Sequence, residues 1–271
     1  MLLERFLWAK ADEVTRLRQQ ERKGALPVPF SGQRGDFIAA LQQREAGVPL
    51  TVIAEFKQAS PSRGPICHSL TVEEAARQYV AAGAGALSIL TERRFFAGEL
   101  DFLGRAAACC PGTPLLRKDF IFDPLQVRAT AATPAAALLL IVALTPDAAL
   151  LRRLREQTES LGMQAVVEVC GKKDLVLARE SGARIIQVNA RDLDTLRVDR
   201  QACLELARQC PPERGEIWIA ASGMDRREHL EEAARSGFSA ALVGTALMQE
   251  GQPGAALRRL LRGREEGHHA A

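Results

Sequence analysis

The sequence predicts an α/β protein, a single (β/α)8 TIM barrel with an N-terminal helical extension. From residue 52 onward, eight short apolar, β-rich runs alternate with amphipathic stretches. The runs are nearly continuous in apolar residues, as expected of parallel strands with helices on one face and a filled core on the other. No G-x-G-x-x-G follows the first run. Eight is also the number of strands that closes a barrel, so a doubly wound sheet ranks second.

Residues 1–51 form the helical extension, packed on the barrel. Leu2, Leu3, Phe6, Leu7, Val14 and Leu17 fall at helical spacing. A charged stretch and a loop follow, and then Asp36 is placed to cap a second helix, FIAALQQREA. The barrel occupies 52–262. Its strand runs are Val52–Phe56, Ala86–Thr91, Pro114–Phe120, Ala137–Ala143, Gln164–Val169, Arg184–Ala190, Glu216–Ala221 and Ala240–Gly244. Between them lie helical patterns such as TVEEAARQYVAAG, TPDAALLRRLREQTESLG and DRREHLEEAARSG. Thr71 and Asp225 stand at N-cap positions, with Gly83 and Gly237 at the matching ends. The tail, 263–271, reads as a frayed end.

Composition excludes several classes. Apolar residues make up 47% and charged residues 25%, the balance of an ordinary globular domain. A net charge of +3, with basic residues interleaved among acids, gives no footprint for nucleic acid. The longest apolar run, Ala135–Leu144, is far short of the ~18 residues that span a bilayer. The N-terminus carries acids in its first turns and is not read as a secretory signal. The six cysteines show no C-x-x-C and no ligand spacing, which is read as reduced thiols in a cytoplasmic protein.

In such a barrel the chemistry sits at the C-terminal ends of the strands. Strand one ends Glu55-Phe56-Lys57, strand three Lys118-Asp119, strand five with Glu168, strand six with Asn189, strand seven with Ser222-Gly223 and strand eight with Gly244-Thr245. Side chains alternate along a strand, so Glu55 and Lys57 share a face. Charged pairs inside apolar strands are costly unless paired or functional. Only six of the 36 basic residues are lysine, yet two of them, Lys57 and Lys118, stand at strand ends. Lysine can be tuned to deliver a proton, whereas arginine cannot. The glycines after strands seven and eight let backbone amides approach an anion. The first βα loop, Ser60–Leu70, is long, polar and proline-held, in the manner of a binding lid. None of the four histidines stands where a catalytic base is needed.

The segments IAEFKQASPSRGPI, LSILTERRFFAG, LLRKDFIFDPLQV, VVEV, IIQVNARDLDT, ASGM and ALVGTALM, in this order, resemble the indole-3-glycerol-phosphate synthase family of tryptophan biosynthesis. The resemblance implies closure of the indole ring of 1-(o-carboxyphenylamino)-1-deoxyribulose 5-phosphate with loss of CO2 and water. It makes Lys118 the general acid and Glu168 an aid to proton loss or dehydration. Glu55 and Lys57 then serve the water-losing stage, and Asn189 orients the substrate. Arg191 is expected near the anthranilate carboxylate. Pro61, Phe120 and Leu193 are expected to wall the aromatic ring. Ser60, Ser222, Gly223, Gly244 and Thr245 are expected around the phosphate and nearby hydroxyls. The resemblance implies no metal or organic cofactor, and the partner is a phosphorylated small molecule. A monomer is expected, with a weak homodimer as the alternative.

This chain departs from the family's usual pattern at three points. Ala221 stands where a glutamate is usual, Cys170-Gly171 where a histidine is, and TPAAAL lacks the usual aspartate. The first removes a carboxylate from the mouth. A non-catalytic paralogue that binds a sugar phosphate or an anthranilate-like ligand is the alternative reading, but it would be expected to lose Lys118 or Glu168 first. Phosphoribosylanthranilate isomerase fits less well, since no strand-one cysteine is present to act as its acid or base.

Overall fold

The structure, a computed structural model, describes residues 2–192 and 195–263. Eight parallel strands close a barrel: β1 (Thr51–Phe56), β2 (Ala86–Leu90), β3 (Leu115–Lys118), β4 (Ala137–Ile141), β5 (Gln164–Val169), β6 (Ile185–Asn189), β7 (Ile217–Ala221) and β8 (Ala240–Val243). Neighbours around the ring run β1-β8-β7-β6-β5-β4-β3-β2 and back to β1. The helices, in chain order, are α1 (Leu2–Arg22), α2 (Phe37–Gln42), α3 (Val72–Ala81), α4 (Arg93–Phe96), α5 (Phe102–Cys109), α6 (Pro124–Ala131), α7 (Ala148–Ser160), α8 (Lys172–Glu180), α9 (Arg200–Gln209), α10 (Arg227–Arg235), α11 (Thr245–Met248) and α12 (Pro253–Arg262). Among the described residues no helix is long and apolar enough to cross a membrane.

Period-2 alternation sorts each strand between two cores. Val52, Ala54 and Phe56 of β1 pack outward under the helices, while Ile53 points into the barrel. Likewise Trp218 and Ala220 of β7 face outward, and Ile217, Ile219 and Ala221 face inward. The inner core takes in Phe37 and Leu41 of α2 and Phe6 of α1, so the N-terminal helices and the barrel interior share one apolar cluster.

Local signals set the helix starts. Asp36 accepts the Ala39 amide at 2.9 Å, and Thr71 with Glu74 forms a reciprocal capping box on α3. Two sequence expectations change. The second helix stops at Gln42 rather than running through Ala46, because Gln43 turns extended and its carbonyl accepts the Thr51 hydroxyl of β1. Asp225 does not cap α10. Arg226 takes that position, and the Asp225 carboxylate lies 2.9 Å from His229 Nδ1 instead. The tail beyond Gly263 lies outside the described residues.

Candidate active site

The inward-facing polar side chains gather at the C-terminal mouth, around a cavity of about 840 Å³ including its open end. Two ion pairs stand in it. Lys57 Nζ lies 2.8 Å from Glu55 Oε1, and Lys118 Nζ lies 3.1 Å from Glu168 Oε2. Both carboxylates are nearly sealed, at 4% and 1% side-chain exposure, while the lysines retain 14% and 18%. The cations therefore face a ligand more openly than their partners do.

Alternation along β3 explains how Lys118 reaches the cavity. Its neighbours Arg117 and Asp119 are both buried on other contacts. Asp119 Oδ2 accepts from Arg117 Nη2 at 2.7 Å, Lys10 Nζ at 2.9 Å and the Thr91 hydroxyl at 2.6 Å. Arg117 also meets Glu13 of α1 at 3.0 Å. This network bolts the first helix to the two residues that flank Lys118. Burial alone would raise the Asp119 carboxyl, but the Arg117 and Lys10 charges outweigh it and bring it down to about 2.

Glu168 is held by three donors: Lys118, the Gln187 amide and Asn189 Nδ2, the last at 3.1 Å. Asn189 is itself fully engaged, since its Oδ1 accepts from the Arg191 amide at 3.0 Å and from Ser222 Oγ at 2.9 Å. It thus links β6 to the turn after β7. Ser222 and Gly223 both have positive φ, 68° and 74°, which folds that turn tightly over the mouth. Arg191 is half-buried, with Nη1 donating to the Leu196 carbonyl at 2.8 Å. Burial lowers its guanidinium from the usual arginine range, and the nearby Arg63 charge pushes the same way while Glu55 opposes. Arg191 lines the opening and favours an anionic ligand there.

One wall of the cavity is apolar. Phe120 stacks on Phe6 of α1, with centroids 4.1 Å apart and planes at 16°, and Phe96 tilts against it at 6.1 Å. Pro61 and Leu90 extend this wall. Among the residues the sequence singles out, Glu55, Lys57, Ser60, Pro61, Lys118, Phe120, Glu168, Asn189, Arg191, Ser222 and Thr245 all line the cavity. Gly223 and Gly244 sit behind it. A Cβ on Gly244 would run into Glu55 Oε1 and come within 3.0 Å of its Cδ, so this glycine makes room for a carboxylate. Leu193 lies outside the described residues.

Sequence reasoning missed Gln187, Ser88 and Phe6. Ser88 Oγ lies 3.5 Å from Glu55 Oε2, one strand over. Gln187 and Ser88 are each polar residues two positions inward from a strand end, so alternation carried a signal for both. Phe6 depends on tertiary packing alone. Cys170, where the resemblance would put a histidine, is no substitute base, because desolvation, then the Glu168 and Asp174 charges, push its thiol up to about 12. Among the described residues no group of three His, Cys, Asp or Glu side chains is placed to hold a metal ion.

Comparison with known proteins gives the family. Residues 3–260 match the family described as Indole-3-glycerol phosphate synthase. An indole-3-glycerol phosphate synthase of Chloroherpeton thalassium is 41% identical over 254 residues, covering 91% of this chain and 94% of the relative. One of Koribacter versatilis is 38% identical, covering 93% and 94%, and one of Mycobacterium ulcerans is 43% identical, covering 83% and 80%. Among solved structures, a 3-hexulose-6-phosphate synthase matches with a TM-score of 0.63 at 15% identity, covering 78% of this chain and 98% of that one. A thiamine phosphate pyrophosphorylase of Pyrococcus furiosus matches at 0.58 and 15%, covering 80% and 96%. These two show the barrel fold alone. From the family match and the relatives' identity over most of its length, the chain belongs to the indole-3-glycerol phosphate synthase family.

Proposed function

We propose that this protein converts 1-(o-carboxyphenylamino)-1-deoxyribulose 5-phosphate into indole-3-glycerol phosphate, CO2 and water. The observation that carries the assignment is the 3.1 Å pair of Lys118 and Glu168, set in a cavity with a second lysine–carboxylate pair and an aromatic wall. In the first stage the ring carbon bearing the carboxylate attacks the ribulose carbonyl carbon. Lys118 Nζ gives its proton to the carbonyl oxygen, the carbon–carbon bond forms, and CO2 leaves with restoration of the aromatic ring. In the second stage the new hydroxyl departs as water with a proton from Lys57. The adjacent CH2 then loses a proton to a carboxylate, which closes the indole double bond. Glu168 and Glu55 are the acceptors at hand. Each sits against its own lysine, so proton delivery and removal are available at both stages without a long side-chain movement.

The substrate's aromatic ring is assigned to the slot of Phe96, Phe120 and Pro61. Its carboxylate lies toward Arg191, and its phosphate toward the Ser60, Ser222 and Thr245 hydroxyls with the backbone near Gly223 and Gly244. Asn189 acts through Glu168 and Ser222, as a positioning residue. A cytoplasmic monomer belongs to the same reading. The exposed large apolar side chains among the described residues, Trp8, Val28, Val80, Val176 and Val198, come from five different segments of the chain.

The test is incubation of the purified protein with the carboxyphenylamino substrate, following indole fluorescence. Appearance of indole-3-glycerol phosphate supports the proposal, and an inert protein that still binds the substrate favours the non-catalytic reading.

A further inference from the structure

We propose that Gln187 is a substrate-binding residue whose Oε1 accepts a hydrogen bond from a hydroxyl of the glycerol chain joining the ring to the phosphate. This deepens the reading above and rests on it. Gln187 lies in the middle of β6 and is 0% exposed, yet it lines the cavity. Its Nε2 donates to Glu168 Oε2. An ionised carboxylate only accepts, so the end of the amide that faces it must be the NH2 group, and the carbonyl end must point elsewhere. That carbonyl oxygen has no partner. It is one of two buried side-chain polar atoms without one among the described residues, the other being His229 Nδ1. His229 Nδ1 still has the Asp225 carboxylate nearby, whereas Gln187 Oε1 has none.

A buried acceptor without a donor is costly, and buried polar groups in folded proteins are nearly always paired. Among the described residues no donor reaches Gln187 Oε1: the cavity's own donors, Lys57, Lys118 and Asn189, are turned to Glu55 and Glu168. The register neighbours of Gln187 are Glu168 on β5, which its NH2 group already meets, and Ile219 on β7, which is apolar. The donor must then come from what enters the cavity. The aromatic slot is built by Phe96, Phe120 and Pro61, after β1, β2 and β3. The anion side is built after β7 and β8. Gln187, on β6 and two residues below Asn189, is on the wall nearer the anion side and deep in the barrel. The part of the ligand that spans from slot to anion carries the hydroxyls. The same amide therefore fixes Glu168 with one end and registers the sugar chain with the other.

The experiment compares two ligands by calorimetry. One is indole-3-glycerol phosphate. The other is 3-(indol-3-yl)propyl phosphate, in which both glycerol hydroxyls are replaced by hydrogen while the indole N–H is kept. Each is titrated into wild type and into Gln187→Met, which keeps the side-chain volume but removes the amide. The inference expects Gln187→Met to weaken the glycerol ligand about tenfold and the propyl ligand less than about threefold, since one hydrogen bond is at stake. Equal weakening of both ligands would mean that Gln187 acts only through Glu168 or through the indole N–H, and would overturn it. Undiminished affinity for the glycerol ligand would overturn it as well. A wild-type crystal structure with indole-3-glycerol phosphate gives an answer that does not depend on the variant folding. A glycerol hydroxyl within about 3.2 Å of Gln187 Oε1 supports the inference, and a water or an apolar atom there overturns it. Turnover by the same wild-type preparation is measured in parallel. Its absence would count against the proposed function, and its presence with a negative ligand comparison would count against Gln187 alone.

Discussion

Replacing Gly244 with alanine separates catalysis from phosphate binding. The added Cβ would collide with Glu55 Oε1 and lie 3.0 Å from Cδ and 3.2 Å from Cβ of the same side chain. Glu55 is 3% exposed and already occupied by Lys57 at 2.8 Å and Ser88 at 3.5 Å, so it cannot swing into water without breaking both contacts. Overpacking of this kind costs about 1–3 kcal/mol. For a protein of this size each kcal/mol moves Tm by about 2–4 °C, so Gly244→Ala should melt roughly 2–12 °C lower. The displaced carboxylate no longer sits against Lys57. If the pair serves dehydration, kcat should fall by about 10²–10⁴, the usual contribution of an acid–base group. KM should change less than about tenfold, the scale of a single hydrogen bond, because the hydroxyls proposed for the phosphate are not moved. Steady-state fluorescence kinetics and a thermal melt read both quantities. A second variant, Glu55→Asp, withdraws the carboxylate by one CH2. The double variant should recover at least about 1 kcal/mol relative to the sum of the single changes, as neighbouring sites do when they share a clash. A Gly244→Ala enzyme with kcat intact and KM raised a hundredfold would refute this reasoning and make the phosphate contact, not room for Glu55, the reason for the glycine.

Three further outcomes follow from the same geometry. Lys10→Met removes the 2.9 Å contact to buried Asp119, which keeps Arg117 and Thr91, and should cost about 1.5–3 kcal/mol in urea unfolding, the scale of one hydrogen bond to a charged group; a change under about 0.5 kcal/mol would mean that α1 is not bolted to β3 as described. Asp119, brought down to about 2 in the fold from the ordinary ~3.9, contributes stability that is complete above pH ~4 and lost as pH falls through ~2, amounting to about 2 kcal/mol; urea midpoints that stay flat between pH 4 and 2 would contradict the network. Ala221→Glu should raise kcat/KM, and by more in a Gln187→Met background than in wild type, because both side chains would offer an acceptor to the same hydroxyls; a lower kcat/KM in both backgrounds would show that the cavity has no place for that carboxylate.

The reach of the sequence reading can be seen residue by residue. Glu55, Lys118, Glu168 and Asn189 were legible because barrel strands alternate and because a charge at the end of an apolar run has few inexpensive places to go. Gln187 was legible by the same rule but lay one step deeper, where attention to strand ends does not look. The role of Gly244 could not be read from sequence. A glycine after a strand signals a tight turn or a close approach, and only coordinates reveal that the Glu55 side chain is what packs against its Cα. The early end of α2 was likewise hidden, since Gln43, Arg44 and Glu45 are sound helix formers and the stop comes from the Thr51 hydroxyl on the Gln43 carbonyl. Phe6 entering the aromatic wall and Lys10 reaching Asp119 are pairings across more than a hundred residues, beyond any local pattern.

The central claim is that Lys118 delivers the proton that starts ring closure, and Lys118→Arg tests it most directly. Arginine keeps the charge beside Glu168 but holds its proton at neutral pH. With folding checked by circular dichroism, the indole-fluorescence assay should show kcat/KM reduced by about 10²–10⁴ against wild type. An Lys118→Arg protein within tenfold of wild type would contradict the account.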